Sequence, residues 1–158
     1  MTKTTSSSGF MESVRTGAPF GPPLIGALLR APWEAVQQHM LARLEERGFD
    51  DLEAAYLAVF RYPGPQGERP TDLATRLGLS KQALGYLLRE LERLGYLERE
   101  PHPDDLRSKR IVLTERGVAA GGVIREAVAE VEAAWGEQLG AERFAELREL
   151  LLELNRIV

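Results

Sequence analysis

Cysteine is absent from all 158 residues, so disulfides, thiolate metal sites, cysteine nucleophiles and thiol redox sensors are excluded within them. Histidine occurs only as His39 and His102, without the His-rich or paired-carboxylate spacing that a metal site requires. Long hydrophobic runs are lacking too. The longest apolar stretches, Leu24 to Leu29 and Ala54 to Phe60, fall far short of a bilayer span, and the N-terminus has no signal-peptide apolar core. A soluble, cytoplasmic protein is expected, with no membrane partner and no cofactor. No nucleophile stands beside a base and no glycine-rich phosphate loop occurs, so enzymatic activity is not expected. There is no repeat, and no low-complexity tract beyond the serines and threonines at the start.

Excess positive charge is the last absence. Lys and Arg number 20 against 24 Asp and Glu, for a net charge of -4 and a pI near 5.3, the opposite of a nucleic-acid-binding footprint. The average hides a contrast. Arg69 to Arg110 carries nine basic and seven acidic residues, a net of plus 2, and leaves a net of minus 6 for the remainder. Taken alone, the contrast is more often a solvated surface than a binding face.

With 44% hydrophobic and 28% charged residues the chain suits one compact domain. Residues 1 to 22 are polar, rich in Ser and Thr, and end at Gly21-Pro22-Pro23; a flexible tail is expected. Leu24, Ile25, Leu28, Leu29, Trp33, Val36, Met40, Leu41 and Leu44 recur at helical spacing up to Gly48. Within them Pro32 either kinks one helix or starts a second. Asp50 and Asp51 precede a short apolar helix from Leu52 to Phe60 that Pro63-Gly64-Pro65 stops.

The most informative stretch runs from Thr71 to Gly95 and reads as helix, tight turn, helix. Thr71 or Pro70 opens the first helix, Leu73, Ala74 and Leu77 form its buried stripe, and Gly78 permits the positive φ of a sharp turn. Ser80 caps the second helix. There Leu84, Leu87, Leu88, Leu91 and Leu94 share one face, Lys81, Gln82, Gly85, Tyr86 and Arg89 share another, and Gly95 closes it. Tyr96 to Glu100 and Arg110 to Leu113 read as strands joined by a polar loop, His102 to Lys109. Thr114 caps a long helix to about Leu139, Gly140 breaks it, and Phe144, Leu147, Leu150, Leu151, Leu154 and Ile157 mark a last amphipathic helix. Gly121-Gly122 inside the long helix fits a hinge or close helix packing equally well.

From Pro23 onward these residues resemble the MarR family of bacterial transcriptional regulators. Two motifs carry the resemblance: the helix-turn-helix leading into Leu91-Glu-Arg-Leu-Gly-Tyr-Leu-Glu-Arg99, and Pro103-Asp-Asp-Leu-Arg-Ser-Lys-Arg-Ile-Val-Leu-Thr-Glu-Arg-Gly117. The second is similar to the family's Asp-x-Arg followed by Leu-Thr-x-x-Gly. The resemblance implies a mainly α fold with a small β wing, in which a winged helix-turn-helix over about 50–114 is flanked by dimerisation helices over about 23–48 and 115–158. It implies a homodimeric, ligand-responsive repressor of double-stranded DNA. Ser80, Lys81, Gln82, Gly85, Tyr86 and Arg89 then fall on the recognition helix, and Asp105, Arg107 and Lys109 on the wing. Arg107 is expected at the wing tip, held by a bidentate pair with Asp105. Many members have a small polar residue and Arg where this chain has Gly85-Tyr86, so base contacts of that Arg do not transfer. Trp33, His39, Tyr56 and Phe60, with Trp135, are candidates for a pocket holding a small hydrophobic or aromatic effector; aromatic residues at helical spacing are more often simply core. The alternative is a winged helix that binds only protein, which Lys81, Arg89, Arg107, Lys109 and Arg110 on one side oppose.

Overall fold

The computed structural model describes residues 23–61 and 67–157. The tail expected over 1–22 and the Pro63-Gly64-Pro65 helix stop lie outside them. The chain divides into two compact units, Met1–Ala35 and Val36–Val158. Helix α1, Ile25–Glu46, is one element with Pro32 in its interior, so the two readings of Pro32 resolve to an uninterrupted helix that lacks one backbone donor there. In the first unit α1 exposes Ile25, Leu28, Leu29 and Trp33 at helical spacing.

In the second unit the end of α1 contributes Met40 and Leu44 to the core. The helix expected over Leu52–Phe60 is shorter than its apolar pattern, with α2 only at Ala54–Leu57 and a 3-10 turn at Val59–Arg61. Helix α3, Pro70–Leu77, opens on Pro70 in its first turn, where a missing N–H costs nothing, and ends at Gly78 with φ of 63°. Helix α4, Lys81–Arg93, starts where Ser80 Oγ accepts the Ala83 N–H at 3.1 Å. Leu73, Leu84, Leu88 and Leu91 close the core between α3 and α4 together with Val59, Tyr96 and Ile111.

Strands β1, Leu97–His102, and β2, Asp105–Leu113, pair antiparallel, so the hairpin is longer and its loop shorter than the residue types suggest. Only Pro103 and Asp104 separate the strands. Glu68 adds a bridge to Ile111, donating its N–H to the Ile111 carbonyl at 3.0 Å and accepting the reverse bond at 2.7 Å. Helices α5, Glu115–Leu139, and α6, Ala141–Ile157, pack on each other, and Ala120, Val123 and Ala127 of α5 are buried in the core. A Cβ at Gly121 or Gly122 would meet nothing within 4 Å among the described residues, so close packing among them does not explain that pair. Among the described residues no helix is long and apolar enough to cross a membrane.

Candidate nucleic-acid interface

Helix α4 divides its side chains as its sequence does. Leu84, Leu88 and Leu91 are buried, which turns Lys81, Gln82, Tyr86 and Arg89 outward with Gly85 half-buried among them. Burial of three leucines contributes roughly 1.5–3 kcal/mol each and fixes which face is presented. Tyr86 is 56% exposed, a large side chain on the outward face. Ser80 serves as the helix cap, its side chain committed to the backbone.

The hairpin places its residues differently from expectation. His102 pairs with Asp105 and Pro101 with Lys109, which leaves Leu106, Arg107 and Ser108 bulged out of the ladder. Pro101, which has no N–H to offer, stands where the ladder breaks. Arg107 therefore rises from a bulge inside β2 rather than from a loop tip. Nor does Asp105 grip its guanidinium: the carboxylate accepts the Arg107 backbone N–H at 3.1 Å, while Ser108 Oγ donates to the Asp105 carbonyl at 3.0 Å. Asp105 shapes the backbone of the bulge, as a short acidic side chain does in a turn.

Charge pairing separates two groups of cations. Arg110 lies opposite Glu100 and donates to its carboxylate at 2.7 Å, Arg99 pairs with Glu92 at 3.1 Å, and Arg76 pairs with the nearly buried Glu68 at 3.0 Å. Arg110, expected to add to the positive face, is instead balanced by its cross-strand neighbour. Lys81, Arg89, Arg107 and Lys109 make no ion pair among the described residues. Four uncompensated cations on α4 and the hairpin give the local field that the whole-chain charge conceals.

Three residues for which the sequence suggests no common role hold α4 and the hairpin in place. Tyr96, fully buried, donates its hydroxyl to Asp51, and Arg116 reaches both oxygens of Asp51 at 3.0 and 3.2 Å. Arg116 also donates to the Leu94 carbonyl at 2.7 Å, and its guanidinium lies over the Tyr96 ring, 4.4 Å from the centroid. Burial first, and the Asp51 hydrogen bond second, raise the Tyr96 phenol above its ordinary range. Thr114 accepts the Gly117 N–H at 3.1 Å and donates to the Gly95 carbonyl at 2.6 Å, tying the start of α5 to the exit of α4. The legible part of this knot was Leu113-Thr114-x-x-Gly117; an arginine one step before that glycine was the unused signal.

The proposed pocket residues have different surroundings. Tyr56 is buried in the core, and Phe60 packs edge-on against Tyr96 with centroids 5.8 Å apart. His39 meets Glu130 of α5 at 2.7 Å, and that hydrogen bond, more than the charges of Arg43 and His39, lowers the Glu130 carboxyl below its ordinary range. Trp33 belongs to the other unit and is 41% exposed. Among the described residues no group of three His, Cys, Asp or Glu is arranged to hold a metal.

Residues 57–108, which span α3, α4 and the start of the hairpin, match the model of the MarR family. That segment, about a third of the chain, is similar to the MarR family. A curated relative from Bacillus subtilis (strain 168), the uncharacterized HTH-type transcriptional regulator YkoM, is 34% identical over 85 residues, 54% of each chain. The chain thus spans about half the length of the curated relative it matches. Among solved structures, the MarR family transcription regulator SP03579 is 26% identical and superposes with a TM-score of 0.65 over 84% of both chains. The transcriptional repressor CouR bound to a 23-mer DNA duplex is 25% identical, with a TM-score of 0.62 over 84% of this chain and 92% of that one. The mainly α winged-helix architecture is therefore shared with these structures over 84% of the chain, and the relatives matched are transcriptional regulators.

Proposed function

We propose that this chain is a cytoplasmic, homodimeric repressor of the MarR family that reads a pseudo-palindromic operator in double-stranded DNA. The observation that carries the reading is the set of four cations without ion pairs, Lys81, Arg89, Arg107 and Lys109, on α4 and the hairpin, in a chain whose net charge is -4. Helix α4 enters the major groove, where Lys81 pairs with guanine and Gln82 with adenine, each such contact being worth about 1–3 kcal/mol of discrimination. Arg107, on its bulge, enters the minor groove, where A·T-rich sequence narrows the groove and deepens its negative potential. Segment 50–114 reads DNA while 23–48 and 115–158 hold the dimer. Support for a second copy comes from α6, whose Leu147, Leu150, Leu154 and Ile157 lie along one face and are each at least 40% exposed.

The regulatory half of the proposal, response to a small hydrophobic or aromatic effector, rests on the similarity to the MarR family. A screen of such compounds is expected to shift duplex affinity; a broad screen with no effect makes this member constitutive.

The test is a titration of a selected duplex over salt for the wild type, Lys81→Ala, Gln82→Ala and Arg107→Ala. Lys81→Ala and Gln82→Ala should relax preference at particular base pairs, and Arg107→Ala should weaken binding in A·T-rich flanks and flatten the salt dependence. Salt-independent or absent duplex binding would instead support a winged helix that binds only protein.

A further inference from the structure

Gly85 sits in the middle of α4, where a glycine costs about 1 kcal/mol of helix stability relative to alanine. The fold gives no reason for it. Gly78 and Gly95 have positive φ, and Gly117 has no room for a side chain, but Gly85 has neither excuse: among the described residues a Cβ there would meet only Arg89 Nη1, at an ordinary 3.6 Å. Other helical glycines, Gly26, Gly121, Gly122 and Gly136, are as unconstrained by their own chain, but none lies on the exposed face of α4. On that face Gly85 makes a notch one turn from Lys81 and Gln82 and one turn from Arg89.

We infer that Gly85 is a specificity-determining position that admits the C5-methyl group of a thymine against the α4 backbone. The inference rests on the proposed reading of the major groove by α4. A notch floored by a Cα, with its backbone N–H and C=O committed to the helix, offers neither donor nor acceptor. The one apolar feature that a base pair shows in the major groove is the thymine methyl. A Cβ would occupy the space of that methyl, so the cost in helix stability is repaid as selectivity for one base.

The experiment replaces each thymine of a selected duplex by uracil in turn, which removes only the methyl, and measures affinity for the wild type and Gly85→Ala. Melting curves of both proteins are recorded alongside. Gly85→Ala should melt at the same temperature or higher. For the wild type, uracil at one position per half-site should weaken binding about fourfold, the transfer value of a single methyl group. Gly85→Ala should bind the thymine duplex several-fold more weakly and lose the distinction between thymine and uracil at that position, a coupling that a double-mutant cycle reads directly. Gly85→Ser, with the same Cβ, must behave alike, and it keeps the test open if the alanine variant aggregates. The inference is overturned if uracil matters at no position, or if Gly85→Ala changes affinity equally for thymine and uracil duplexes. A wild type that selects no duplex overturns the proposed function itself, a result distinct from either.

Discussion

Replacing Gly117 by alanine should destabilise the protein although it improves helix propensity. A Cβ at this position would lie 2.1 Å from the Tyr96 carbonyl oxygen and 3.1 Å from Leu113 Cδ2, and the oxygen is backbone that cannot rotate away. Relief requires the start of α5 to move by about 1 Å, since carbon and oxygen do not approach much closer than about 3 Å without strong repulsion. That movement pulls on two short links, the Thr114 N–H to the Tyr96 carbonyl at 3.1 Å and Thr114 Oγ1 to the Gly95 carbonyl at 2.6 Å. Overpacking costs about 1–3 kcal/mol and each weakened hydrogen bond about 0.5–1.5 kcal/mol, against about 1 kcal/mol gained in propensity. The net loss is about 1–5 kcal/mol, which lowers the melting temperature of a domain this size by about 2–20 °C. Urea and thermal melts at one fixed protein concentration are the assay, because the proposed dimerisation would make stability concentration-dependent. Gly117→Ala as stable as the wild type would refute the close approach of α5 to the exit of α4.

Arg116→Ala removes the Asp51 pair, the bond to the Leu94 carbonyl and the cover over the Tyr96 ring, and should cost about 1–2 kcal/mol after allowance for partial exposure; an unchanged urea midpoint contradicts it. Because the folded state holds the Tyr96 proton more tightly than the unfolded chain does, this contribution is complete below the ordinary phenol value near 10 and is lost as pH rises above it. Wild-type melting temperature should therefore fall more steeply than that of Tyr96→Phe above about pH 10, and parallel slopes would exclude the effect. Leu150→Glu, at a position 57% exposed in the single chain, should shift light scattering toward the monomer mass; a dimer of unchanged stability would move the interface elsewhere.

Helix ends were the most legible feature of the sequence because their chemistry is local. Ser80 and Thr114 cap the helices they precede, and Gly78 and Gly95 adopt the left-handed conformation that ends the helices before them. The hairpin was less legible. His102 to Lys109 read as a long loop, yet cross-strand pairs such as Glu100 with Arg110 carry the ladder to His102 and Asp105, so tertiary pairing overrides local propensity. The Glu68 bridge to Ile111 was invisible because a single residue pair leaves no alternation to read. Within the site, the outward face of α4 followed from the leucine period, whereas the state of each cation did not. Nothing in the sequence distinguishes Arg110, balanced by Glu100, from Arg107, raised on a bulge; only the strand register does. Asp51, Tyr96 and Arg116 converge from three separate segments, and no spacing announces such a meeting.

Sequence selection from a pool of randomised duplexes by the purified wild-type protein tests most directly whether α4 and the hairpin read DNA. Enrichment of two related half-sites, inverted about a centre and spaced about one helical turn of 10–10.5 base pairs, is expected, with affinity that falls steeply as salt rises. A pool that returns unenriched, or one retained with no dependence on salt, contradicts it.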